Sequence, residues 1–360
     1  MTPVAVVAAA PPMGTAVESF RRRVRRRATV IAVAAALVLA GVVADVSVGP
    51  GNFALDRVVE AILSPGSQGA KLHMIVWDLR MPVALAAVLI GAMLAIGGAQ
   101  MQTILDNPLA EPFTLGLAAA ASFGAALAIV AGAGLWPAVG ASIVAAHAFG
   151  FALLASLLLF AVSRWRGGGT SMIVMVGIAI MFTFNALLAF LEYGASEVKL
   201  QQIVFWIMGS LQRATWPKLA VCALVLAGGL GWSILRAWPL TALRLGETRA
   251  LSLGVPVTRL RLEALFVVSM LAATAVAFVG TIGFVGLVGP HVARLLIGED
   301  QRMLVPLSAL IGAGVLSFAS ILSKTITPGV IYPIGMITSL IGIPVFLAIV
   351  FGRRARLAAS

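Results

Sequence analysis

The chain has 360 residues, of which 61% are hydrophobic and only 11% charged, with a mean hydropathy of +1.07. Soluble domains carry about 25% charged residues, so this composition excludes a water-facing globule of this size and points to a chain whose solvent is the bilayer. The net charge of +12 does not mark a nucleic-acid binder, because many of the arginines flank apolar runs, where positive charge sets membrane orientation.

In chain order, residues 1–27 are Ala/Pro/Val-rich and then basic, with Arg21, Arg22, Arg23, Arg25, Arg26 and Arg27 in one cluster. They are predicted to form a disordered cytoplasmic tail. The cluster and the apolar run behind it have the outline of a cleaved leader. That run is long for one, however, and residues 45–50 lack a small-x-small cleavage pattern, so it is expected to be the first span. A crossing takes about 20 largely apolar residues. Ten spans are therefore predicted, at 28–48, 80–101, 114–134, 137–162, 171–191, 216–235, 262–280, 282–297, 303–322 and 334–351. They form an all-α membrane domain over 28–352, with a short cytoplasmic tail at 353–360. The eighth is short and glycine-rich, as in a bent helix, which is tolerated where it is buried in protein or lines a cavity. Ten crossings put both termini on one side. Of the 25 Lys and Arg residues, 18 fall on that side, which predicts cytoplasmic termini. The single cysteine, Cys222, lies inside an apolar run and supports neither a disulfide nor a thiolate metal site.

Four stretches carry polar residues, glycines or prolines where plain lipid-facing helix would not. The first runs from Arg80 and Pro82 to Gln100, Gln102 and the segment Asn107-Pro108-Leu109-Ala110-Glu111-Pro112. The two prolines of that last segment, Pro108 and Pro112, end one helix and restart another, and on pattern alone it reads as an inter-helix loop. The second, Phe205-Trp206-Ile207-Met208-Gly209-Ser210-Leu211 with Trp216, fits an interfacial aromatic belt. The third is Leu243-Arg244-Leu245-Gly246-Glu247-Thr248-Arg249-Ala250-Leu251-Ser252-Leu253-Gly254. Its apolar spacing predicts short helices joined at Gly246 and ended at Gly254, lying on a membrane surface or against a partner. The fourth holds Gly280, Gly283, Phe284, Gly286, Gly289, Pro290, His291 and Arg294. Glycines spaced by three or four let helices approach closely.

Taken together these stretches resemble the FecCD-type permease family of ATP-binding-cassette importers for iron-siderophores, haem and vitamin B12. The resemblance runs in order from about Leu79 to Phe351 and includes Pro333-Ile334-Gly335 and Gly342-Ile343-Pro344-Val345-Phe346. It implies a type II importer permease fold in a bacterial inner membrane. It also implies that residues 240–258 form a loop docking on an ATPase subunit, with Leu243, Leu245, Gly246, Glu247, Ala250, Leu253 and Gly254 as the coupling residues. The partners it implies are a second copy of the chain or a homologous permease, two ATPase subunits, a periplasmic or lipid-anchored binding protein, and membrane lipid, with no nucleic acid. Arg57 and Arg80 by location, and Lys324 by family position, are expected to meet acidic residues of the binding protein. Asn107, Pro108, Gly283, Gly286, Gly289, Pro290, His291 and Arg294 are expected to serve helix packing or the pathway.

Departures from the family pattern cluster on the outer side: Val83 where a second arginine is common, Ser320 and Lys324 in place of an aspartate and arginine, and Ile331 in place of a glutamate. No Gly-x-x-x-x-Gly-Lys-Ser/Thr loop occurs, so ATP and Mg²⁺ belong to a partner, and no cofactor or catalytic residue is expected on this chain. His73, His147 and His291 lie too far apart along the predicted topology to share a metal. An ion-coupled secondary transporter would place acids in mid-span, whereas every Asp and Glu here falls at a span end, in a loop or in the tail. The expected cargo is a ferric siderophore, with haem and cobalamin as the alternatives.

Overall fold

The structure is a computed structural model that describes residues 13–49, 53–65, 69–132, 140–165 and 169–358. Among these residues all the regular structure is helical and no strand forms. Seven helical runs are long and apolar enough to cross a membrane, and three shorter apolar helices join them. Each predicted span has a helix at its place.

The first helix, α1, extends over Met13–Ser47. Residues 13–27, predicted to be disordered, are therefore its first turns. Arginine is a good helix former, and Arg27 donates to Asp300 at 3.3 Å. The remainder of the expected tail, residues 1–12, lies outside the described residues. After the short helices α2 (Leu55–Leu63) and α3 (Ala70–His73), a π-helical stretch, Met74–Arg80, leads straight into α4 (Met81–Ile104). Pro82 follows the π-helical stretch without an N–H to give to the preceding turn, and the Trp77 carbonyl there accepts from Trp216 Nε1 at 3.1 Å.

Helix α4 is the spine of the bundle, buried along nearly its whole length. It packs against α14 (Gln301–Thr325), α13 (Val285–Ile297), α12 (Val257–Val279) and α9 (Trp216–Leu235). The contacts run through small residues. A methyl added at Gly91 would overlap the backbone of Gly312, and one at Gly98 that of Gly286. One added at Gly289 would come within 2.8 Å of Ala95 Cβ. Lipid offers no hydrophobic force between helices, so such close backbone approach is what holds them.

The connection after α4 is no open loop. A 3₁₀ turn, Pro112–Leu115, carries the chain back into the bundle before α5 (Leu117–Val130) begins. Leu115 sits against Gly177 of α7 (Thr170–Gly194), and Pro112 against Gly97 of α4. Glycine supplies the positive φ of 81° at Gly116, which an L side chain would adopt only with strain. Helix α6 (Gly140–Trp165) flanks α5, and α8 (Glu197–Ile207) and α15 (Ile334–Ala358) complete the set.

Candidate coupling surface and pathway

Between α9 and α12 lie two short helices, α10 (Ala237–Leu243) and α11 (Glu247–Ser252). They form a hairpin that turns at Gly246 (φ 101°) and ends at Gly254 (φ 78°). Leu240 and Ala250 are fully buried and Leu243 nearly so, while Leu245, Leu251 and Leu253 are all more than half exposed. This corrects the expected coupling surface. Leu243 and Ala250 face inward as the apolar base of the hairpin, and Leu251 joins Leu245 and Leu253 on the outer face. The sequence held the signal for Leu251, since residues 251 and 253 follow the turn, but apolar spacing alone does not say which leucine points which way.

Glu247 is also not a free surface charge. Both its oxygens accept from the Arg261 guanidinium, at 3.2 and 2.8 Å, and Arg261 in turn donates to the Ile104 carbonyl at the end of α4. Arg261 is buried, so the pair clamps the hairpin onto the bundle. Neighbouring this clamp, Arg244 contacts Asp106 and Glu299, and Arg294 contacts Glu299 and Gln102. Burial alone would raise the Glu299 carboxyl, but Arg294 and Arg244 hold it below the ordinary carboxylate range. His291 and Pro290 are buried within α13. Asn107 accepts from the Leu109 N–H at 2.9 Å, an Asx turn that starts the inward connection; Pro108 follows it there, partly exposed.

Farther along the bundle, three interruptions of helix meet. Ser210 N–H donates to the Val279 carbonyl (2.6 Å), Gly335 N–H to Met208 (3.0 Å) and Ile334 N–H to Gly209 (3.2 Å). Thr281 Oγ1 donates to the Ile207 carbonyl (2.6 Å). The chain ends at these breaks bond one another, as buried backbone must. Beside them is a cavity of about 480 Å³ lined by Ile207, Met208, Thr281, Gly283, Met336 and Leu340, among others. A methyl added at Gly283 would meet no heavy atom within 4 Å, so this glycine borders the open space instead of packing helices, whereas Gly286 and Gly289 lie in close contacts. Phe284, with φ 68°, starts α13, and its N–H donates to Glu111 of the inward connection. Trp206, read as part of an interfacial belt, is buried, while Phe205 and Trp216 are exposed.

Two of the three expected docking cations are turned inward. Lys324 makes a 2.8 Å ion pair with the fully buried Asp45 of α1, which also accepts from Ser320 Oγ. Arg80 is buried and donates to the carbonyls of Val46 and Ser47, capping the end of α1 as cations do at helix C-termini. Arg57 alone of the three is exposed. The histidines are spread over α3, α6 and α13, and among the described residues no three His, Cys, Asp or Glu side chains converge as a metal site would require.

A family model described as the FecCD transport family matches residues 36–352. The chain is 38% identical to the vitamin B12 import system permease protein BtuC of Vibrio vulnificus over 81% of its own length and 87% of that protein's. It is 37% identical to an iron chelatin transport system permease protein of Helicobacter pylori, covering 79% and 85% of the two chains. A solved metal-chelate type ABC transporter in an inward-facing conformation superimposes with a TM-score of 0.77 and 28% identity, over 90% of this chain and 99% of that one.

Proposed function

Because the chain belongs to the FecCD transport family, we propose that it moves a ferric siderophore across the bacterial inner membrane by alternating access, driven by a separate ATPase subunit. Its family comprises multi-pass permeases of the metal-chelate, haem and vitamin B12 type of ATP-binding-cassette importer. In this reading two copies enclose a central pathway. Two ATPases sit below on the cytoplasmic side, where both termini and the hairpin lie, and a binding protein sits above. Two ATPases closing on ATP displace the hairpins, and the pathway changes the side to which it opens. Such a cycle transports only if nucleotide and cargo each bind the two conformations with different affinity.

The observation that carries the reading is the hairpin. Leu245, Leu251 and Leu253 are exposed on an element held to the bundle by Arg261 and Arg244. An anchored apolar patch suits a partner that pushes, because movement of the patch is movement of the bundle. The cavity beside the helix breaks supports a pathway there, since irregular backbone at membrane depth is tolerated where it lines a cavity.

The test is reconstitution in proteoliposomes with the cognate ATPase and binding protein, and uptake of labelled ferric siderophore, haem and cobalamin in parallel. ATP-dependent uptake of the siderophore is expected. Uptake of haem or cobalamin alone would replace the cargo, and no ATP-dependent uptake of any of the three would overturn the reading.

A further inference from the structure

Glu299 lies in the turn between α13 and α14, after Gly298 (φ 83°). Its two oxygens are shared by two guanidiniums. Arg244 of the hairpin donates to both, each at 3.2 Å, and Arg294 of α13 approaches at 2.9–3.0 Å. Each arginine also grips a second element. Arg244 Nη1 reaches Asp106 in the inward connection, and Arg294 Nη1 reaches Gln102 Oε1 of α4 at 2.8 Å. Gln102 Nε2 donates in turn to the Gly286 carbonyl at the start of α13, at 3.4 Å. The two arginine side chains are only 20% and 8% exposed. An isolated surface pair holds little, but one carboxylate held by two shielded guanidiniums, each of which also grips a further element, forms a joint with fixed geometry.

The joint has a direction. Helix α13 is 13 residues long with Pro290 inside it, a span of about 20 Å. Arg294 is near one end, and Phe284, Gly283 and the 480 Å³ cavity are at the other. Its C-terminal end is tied through Glu299 to the hairpin, and its N-terminal end emerges from the helix break. A shift of the hairpin therefore reaches the break through few parts, none of them a flexible loop.

We propose that Glu299 is a positioning residue for transport, fastening the coupling hairpin to α13 so that displacement of the hairpin repositions the helix break beside the cavity. This rests on the permease reading above, and the experiment separates the two. The full transporter, with its ATPase, is reconstituted in a Cys222→Ala background carrying Met336→Cys in the cavity wall. Labelling of that thiol by a water-soluble maleimide is timed with and without ATP and vanadate. The parent is expected to show a nucleotide-dependent change in labelling rate. In Glu299→Gln, which keeps the shape and loses the charge, that change is expected to shrink by about 5-fold, in the range seen for mutations that alter coupling. ATPase association and ATP hydrolysis should remain. Arg244→Gln should give the same loss, and the double variant little more, because both remove one joint. If Glu299→Gln does not accumulate in the membrane, Arg244→Lys replaces it, since lysine keeps the charge but cannot grip two carboxylates at once. A responsive parent with an unaltered response in these variants overturns the joint alone. A parent without any nucleotide response overturns the permease reading itself.

Discussion

Replacing Lys324 by methionine separates two roles that sequence position cannot distinguish. Lys324 Nζ sits 2.8 Å from Asp45 Oδ1, the lysine side chain is 5% exposed and the aspartate 0%. At that distance the attraction is about 6 kcal/mol for an effective dielectric constant near 20, and desolvation of both ions offsets most of it. Removing one partner is the severe change, because the buried Asp45 carboxyl then keeps, among the described residues, the Ser320 hydroxyl as its side-chain partner. The expected loss is about 3–5 kcal/mol. A loss of that size shows as a lowered melting midpoint. Asp45→Asn combined with Lys324→Met removes both charges and is expected to recover most of that, because no buried charge is left unpaired. The assay is thermal unfolding of the purified protein in detergent, run beside titration with the binding protein. If Lys324→Met melts with the parent while affinity for the binding protein collapses, Lys324 is an exposed docking charge and the inward pair is wrong.

Gly98→Ala is expected to strip most of the protein of its monodisperse form on size-exclusion chromatography, because the added methyl overlaps the backbone of Gly286 and overpacking costs about 1–3 kcal/mol or more. Gly283→Ala, with open space around it, should elute like the parent. On the hairpin, Leu251→Ser should abolish co-purification of the ATPase and leave the melting midpoint within about 1 °C, as surface changes do. The buried Leu243→Ala should instead cost about 2–5 kcal/mol of stability, seen as a lowered midpoint. For Glu299 the sign follows from its depressed carboxyl: the contribution is present above the unfolded pKa near 4.3 and is lost as pH falls through the folded value. Hydrogen exchange of the hairpin, corrected for intrinsic rates, should quicken on acidification more steeply in the parent than in Glu299→Gln.

What was legible in the sequence follows from the physics of the bilayer. A crossing needs a long apolar run, so spans such as 171–191 and 216–235 stand out without any tertiary information, and α7 and α9 lie there. Helix ends near Pro112 and Gly254 were legible for the same local reason, since proline and glycine act on their own backbone. The hairpin was placed by its alternation of charge and leucine. Which leucine faces the bundle was not, because helices of seven and six residues leave too few turns to define a face. The helical nature of residues 13–27 was obscured by a charge cluster that resembles a solvated tail.

The polar partners were the least legible part, and Asp45 shows why. Its partners Ser320 and Lys324 are 275 and 279 residues away along the chain, so no local pattern joins them. The sequence does carry a trace of the pairing in the departure at residue 320. Where the family commonly has an aspartate one helical turn before a cation, this chain has a serine, which leaves Lys324 without an acid on its own helix. A cation at the end of an apolar span must reach water or find a carboxylate. The structure supplies that carboxylate from α1, and Ser320, small enough to admit it, donates to both its oxygens. The missing acid at 320 and the solitary acid at 45 are thus two halves of one arrangement. The pair clasps α1 to α14 at the end opposite the Arg27–Asp300 contact, and α1, only lightly buried along its span, is held to the bundle by charge at both ends.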